Sequence, residues 1–167
     1  IGEAIIDFIA NPQGEYQPHL GGSPYNVAIG LARNGESVSY LSPFSSDNFG
    51  ELMRTSLLNE GVQIPLQRRS RYPTSLAIVT NDANRQPSYT LYREGIADKD
   101  IALTEIAAQL PADLTVLHTG SLAITPSQLP KIRELLQLMR RRSIVISLDL
   151  NIRLGASLDA ETYLEGV

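Results

Sequence analysis

Short apolar runs that alternate with amphipathic helical stretches constrain this chain more than any other feature. A continuous apolar strand must be covered on both faces, and a helical connection returns the chain in the parallel sense. Ile5-Ile6-Asp7-Phe8-Ile9 opens the series. Ser23-Pro24 then starts a helix, with the serine suited to the N-cap and the proline to the first helical position. Val27, Ala28, Leu31 and Ala32 share one face of it, and Asn34-Gly35 supplies the stop. Residues 37–41 read as a buried-type strand. Residues 47–59 read as a second helix ended by Gly61, with either Leu52, Thr55 and Leu58 or Met53 and Leu57 toward the core. A short helix at 104–110, a strand at 114–119, a helix at 126–142 and a strand at 144–148 continue the alternation. For the 126–142 helix, Thr125 reads as the N-cap, Pro126 as the first position and Gln128 as the capping-box partner. Leu129, Ile132, Leu135, Leu136 and Met139 form its apolar stripe, and Arg140, Arg141 and Arg142 complement the negative end of its dipole. The expected fold class is α/β, a parallel sheet flanked by helices in three layers.

One region breaks the pattern. Residues 75–80 and 88–92 are two strand-like runs joined by a short polar connection, which makes a hairpin rather than a crossover. With the extended piece at 15–20 it is expected to form a small separate β-sheet, a lid built from about 11–21 and 72–96 on one domain spanning 1–167. The chain opens at Ile1 without a methionine, in a strand already under way, and residues 158–167 read as the start of another element. It therefore reads as the N-terminal part of something longer, with exposed apolar surface expected wherever the sheet edge is left unpaired.

Composition narrows the function. Fourteen Lys and Arg stand against 18 Asp and Glu, a formal charge of −4, which offers no broad positive field to a nucleic-acid backbone. No apolar run approaches a membrane span and no signal segment opens the chain, so a cytoplasmic protein is expected. There is no cysteine, and His19 and His118 lack a second imidazole at a ligand spacing, which sets aside thiol chemistry and the common zinc motifs.

In α/β sheets ligands bind beyond the carboxyl ends of the strands, so polar groups there are the candidates: Asp7, Gly120-Ser121, and Asp149 with Asn151 and Arg153. Asp7 interrupts an apolar strand, and a buried carboxylate needs a partner or solvent. It can accept bonds from two sugar hydroxyls or serve as a loop cap. Gly21-Gly22 lets backbone N–H groups approach a ligand just before a helix whose first turn presents Asn26, a donor and acceptor suited to a polyol, although a tight turn alone explains it equally well. The spacing matches neither a G-x-G-x-x-G fingerprint nor a P-loop.

The segment from Gly21 through Asn26 to Gly35 closely resembles the first signature of the ribokinase-like (PfkB) carbohydrate kinases. Four more matches follow in the family's order: residues 2–8 resemble its opening strand, 92–98 its lid exit, 118–122 a strand end, and 147–153 its D-x-N-x-R segment. The last three fit the fructokinase branch best. The resemblance implies a ribokinase-like fold and ATP-dependent phosphorylation of a sugar hydroxyl. It further implies that Asp7, Gly21, Gly22 and Asn26 bind the sugar and that Arg93 reaches in from the lid. Asn151 and Arg153 then lie near the phosphates, where the Arg153 guanidinium is suited to spreading phosphoryl charge. Leu150 replaces a proline usual in fructokinases. Tyr25 and Tyr92 either line the sugar pocket or pack. ATP and Mg²⁺ are the implied co-substrate and ion, and a homodimer through the lid is a further implication. The family's catalytic base lies in a Gly-Ala-Gly-Asp motif that these 167 residues do not contain, and its magnesium-associated Asn-x-x-Glu does not follow Arg153. No base is assigned, Asp149 included, and the chain is expected to be an inactive sugar-binding half. The alternatives are a 2-keto-3-deoxygluconate kinase and a sugar-binding module without transfer activity.

Overall fold

The computed structural model describes residues 1–81 and 87–151. Its longest sheet is mixed, in the order β2-β1-β5-β6. β1 (Ile5–Ala10) pairs antiparallel with β2 (Tyr16–Gly21) and parallel with β5 (Ser75–Asn81), and β5 pairs antiparallel with β6 (Pro87–Tyr92). The hairpin expected at 75–92 is therefore present. As expected, residues 16–21 join the same sheet as the hairpin, apart from the parallel pairs, and β1, expected in the parallel body, belongs to that sheet as well. Parallel pairing elsewhere joins β3 (Phe44–Ser45) to β4 (Arg69–Ser70) and β7 (Val116–Gly120) to β8 (Val145–Asp149). Among the described residues four α-helices flank these strands: α1 (Ser23–Arg33), α2 (Asn48–Asn59), α3 (Leu103–Ala108) and α4 (Leu129–Arg141).

Two differences from the sequence reading trace to prolines. Residues 37–41 form no strand, only a parallel bridge between Ser39 and Gln63, with Gln63 N–H donating to the Val38 carbonyl and Tyr40 N–H to the Gln63 carbonyl. The next rung would need an N–H from residue 65, which is a proline. Likewise α4 begins at Leu129, with Gln128 rather than Thr125 as its N-cap residue. A helix from residue 126 would place Pro130 inside it, where its ring clashes with the carbonyl four residues back. Starting at Leu129 puts Pro130 in the tolerant first turn. In α1 the cap position is Gly22, and Ser23 is the first helical residue.

The alternation of β1 sorts its side chains onto two faces. Ile6 and Phe8 enter a core with Tyr25 and Ala28 of α1, Met53 and Leu57 of α2, and Tyr40 and Phe44. That settles the α2 face in favour of Met53 and Leu57, while Leu52 and Leu58 are exposed. Tyr25 is a packing residue: fully buried, edge-on to Tyr40 at 6.2 Å, with its hydroxyl donating to the Met53 carbonyl at 3.2 Å. A second core joins Ile106 of α3, Ile132, Leu135 and Met139 of α4, and Leu117 of β7. On β7 and β8 the register partners Val116 and Val145 are exposed. Among the described residues no helix is long and apolar enough to cross a membrane.

Candidate active site

The opposite face of β1 builds the site. Ile5 and Asp7 face an open cleft of about 1270 Å³, together with Gly22, Ser23 and Asn26 from the start of α1. Tyr89, Leu91 and Arg93 from β6 and its exit, Lys99, Ser121 and Asn151 complete the wall. Six of the residues singled out from sequence thus meet in one cavity: Asp7, Gly22, Asn26, Arg93, Ser121 and Asn151. Gly21 lies against Asp7, where an added Cβ would stand 2.5 Å from the Asp7 carboxylate. Gly22 has φ +113°, and its Cβ would stand 2.5 Å from the Glu3 carbonyl, so both backbone conformation and space require glycine there. Arg153 lies outside the described residues, and Tyr92 is exposed outside the cleft wall.

Arg93 is more deeply held than its expected reach from a lid implies. It is 8% exposed, and its Nη1 donates to Asp98 at 2.9 Å and to Ser75 Oγ at 2.7 Å. Burial pushes the Asp98 carboxyl above the ordinary carboxylate range, against the pull of Arg93. Lys99 donates to the Arg93 carbonyl at 2.6 Å, and burial, reinforced by the Arg93 charge, lowers its pKa. Ser23 Oγ donates to Asp149 at 2.9 Å, and Asn151 Nδ2 donates to Ser121 Oγ at 3.0 Å, so the end of β8 is tied to the start of α1 and to the turn after β7. Asn151 has φ +35°, a left-handed conformation that asparagine tolerates.

Sequence reasoning missed Glu3, Asp98 and Lys99. The signal for Glu3 was the one applied to Asp7, an acid in an apolar run. For Asp98 and Lys99 nothing local distinguishes them from surface charges. Among the described residues no group of three or more His, Cys, Asp or Glu is placed to hold a metal ion.

Residues 1–167 match the pfkB family carbohydrate kinase pattern over their whole length. The chain is 31% identical over 167 residues to a fructokinase of Rhizobium leguminosarum bv. trifolii, covering 98% of this chain and 51% of the relative. It is 30% identical over 164 residues to a 5-dehydro-2-deoxygluconokinase of Clostridium beijerinckii, covering 92% and 48%. The crystal structure of a fructokinase from Xylella fastidiosa superimposes with a TM-score of 0.88 at 26% identity, over 99% of this chain and 56% of the other, and its form with bound ATP does so at 0.87. The chain spans about half the length of the curated relatives it matches. A profile match along every residue, on a fold shared with a solved sugar kinase, leaves one conclusion: the chain belongs to the pfkB family of carbohydrate kinases.

Proposed function

We propose that this chain is the sugar-binding part of an ATP-dependent kinase of the fructokinase type, which transfers the γ-phosphate of ATP to a sugar hydroxyl. The observation that carries the reading is the convergence of Asp7 from β1 and Asn26 from α1 on a cleft that Asn151, at the end of β8, also lines. The Asp7 carboxylate accepts from sugar hydroxyls, and the Asn26 carboxamide both donates and accepts. Gly21 and Gly22 let the ligand approach the backbone. Arg93, its charge matched by Asp98, shapes the wall. Asn151 and Arg153 serve the phosphate side, where a guanidinium disperses charge on the transferring group. No residue here is assigned the base, and no step is routed through a metal ion. The segments 11–21 and 72–96, which include β2, β5 and β6, are the lid, and its exposed Tyr16, Tyr89 and Tyr92 suit a homodimer formed through it.

The test is phosphorylation of fructose by the full-length gene product that carries these residues. Asp7→Ala and Asn26→Ala are each expected to weaken sugar binding by about 1–3 kcal/mol. Unchanged sugar affinity in both variants defeats the assignment. Sugar binding by the full-length protein without any transfer favours the non-catalytic module.

Lys99 favours a second substrate class, gluconate-type sugar acids, in keeping with the name of the Clostridium beijerinckii relative and with the 2-keto-3-deoxygluconate alternative. Arg93 is matched by Asp98, whereas the ammonium of Lys99 keeps N–H donors beyond its bond to the Arg93 carbonyl. If the substrate is a sugar acid, Lys99→Met lowers kcat/KM for it by roughly tenfold or more while fructose turnover changes by less than about twofold. Equal effects on both sugars remove Lys99 from specificity.

A further inference from the structure

Glu3 has no role in the reading above, yet it stands beside Ser23, Ser121 and Arg93, which line the cleft from three separate parts of the chain. It is 2% exposed and forms part of the cleft lining. Its Oε1 accepts from the Ser23 N–H at 3.2 Å, which is the first residue of α1. Its Oε2 is buried with no hydrogen-bond partner among the described residues. The Ser121 hydroxyl and the Arg93 guanidinium are further polar groups acting on its carboxyl. From Glu3 two short connections lead to the end of β8: through Ser23, whose hydroxyl donates to Asp149, and through Ser121, whose hydroxyl accepts from Asn151. Gly22, packed on the Glu3 carbonyl, lets these parts close on one another.

We propose that Glu3 is a positioning residue that clamps the start of α1, carrying Asn26, to the end of β8, carrying Asn151, so that the bound sugar is aligned with the phosphate side. The proposal rests on the sugar-kinase reading. Arg93 already pairs with Asp98, so a second ionised carboxylate beside it has no cation of its own, and burial raises the Glu3 pKa. The Tyr40 hydroxyl also feels the Glu3 charge.

Glutamine keeps a side-chain oxygen that can accept from the Ser23 N–H, which makes it the faithful replacement. In the full-length gene product, Glu3→Gln is expected to keep kcat within about threefold of the parent, and Glu3→Ala to lower kcat by about tenfold to a hundredfold while sugar affinity changes by less than about threefold. This split between kcat and affinity separates a clamp from a merely structural role. Amide hydrogen exchange at Ser23 gives a readout that needs no activity: protection persists in Glu3→Gln and is lost in Glu3→Ala. An alanine variant with parental kcat overturns the clamp. So does a glutamine variant impaired by tenfold or more, which stays decisive if the alanine variant does not fold. Equal Ser23 exchange in parent and alanine variant overturns it as well. A parent protein that phosphorylates no sugar sinks the kinase reading instead, and the exchange experiment then still decides whether Glu3 holds the junction.

Discussion

Asp47, half-buried, and Asp98, buried, both sit beside the start of β5, and they are satisfied in opposite ways. Asp47 caps α2: its Oδ1 accepts from Gly50 N–H and Thr74 Oγ1, each at 2.7 Å, and its Oδ2 accepts from Thr74 N–H at 2.7 Å. Asp98 takes Arg93 on Oδ2, while its Oδ1 is buried without a hydrogen-bond partner among the described residues. Burial pushes both carboxyls upward. At Asp47 the bonds from Thr74 and Gly50 outweigh it and set the pKa below the ordinary 3.8, whereas at Asp98 the pKa stays above that value. The acid that holds the fold is saturated by neutral donors. The acid behind the cleft wall is held chiefly by cations, Arg93 first and Lys99 after it, and burial still outweighs them, as it does at Glu3. An acid held by charge depends on its partner far more than an acid held by many small bonds.

The largest expected effect tests that dependence. Asp98→Ala leaves the Arg93 guanidinium buried without its counter-charge and is expected to cost about 3–5 kcal/mol in urea denaturation of the full-length protein. A loss below about 1 kcal/mol would erase the contrast with Asp47. The pH dependence sharpens it. Glu3 and Asp98 have folded pKa values raised above their ordinary 4.5 and 3.8. Their contribution to stability is therefore complete below those values and is lost as pH rises through the folded ones. Glu3→Gln removes its share of this loss, so the variant gains on the parent as pH rises above 4.5.

The legible part of the molecule was that written in local pattern. The helix starts near Ser23 and Asp47, the hairpin of β5 and β6, and the convergence of Asp7 with Asn26 follow from periodicity, turn residues and a family signature. What escaped was set by partners distant in sequence. Local pattern alone places β1 in the parallel body, because Ile5-Ile6-Asp7-Phe8-Ile9 looks alike whether its neighbours are parallel or antiparallel. Only its pairing with residues 16–21 reveals the mixed sheet. Pro65 cut short the strand at 37–41 from across the ladder, an effect that no reading of residues 37–41 alone contains. Pro130, by contrast, was visible and overruled the Thr125 cap. Of two acids in one apolar run, burial chose Glu3 over Asp7, and that choice depends on α1 and the turn after β7 closing over it.

The smallest of the stability effects belongs to Asp47, and it completes the contrast. Asp47→Ala removes the α2 cap, worth about 1 kcal/mol, and the bonds to Thr74, worth about another 1 kcal/mol, for a loss of about 2 kcal/mol near neutral pH. Asparagine retains capping ability but loses the charge, so Asp47→Asn should fall between parent and alanine. Because the folded Asp47 pKa lies below 3.8, its stabilisation is present above that value and disappears as pH falls through the folded one. Urea denaturation at a series of pH values should therefore show parent and Asp47→Ala converging in acid, while parent and Glu3→Gln diverge as pH rises. If the two differences follow pH in the same direction, saturation by neutral donors is not what separates the structural acid from the acids of the cleft.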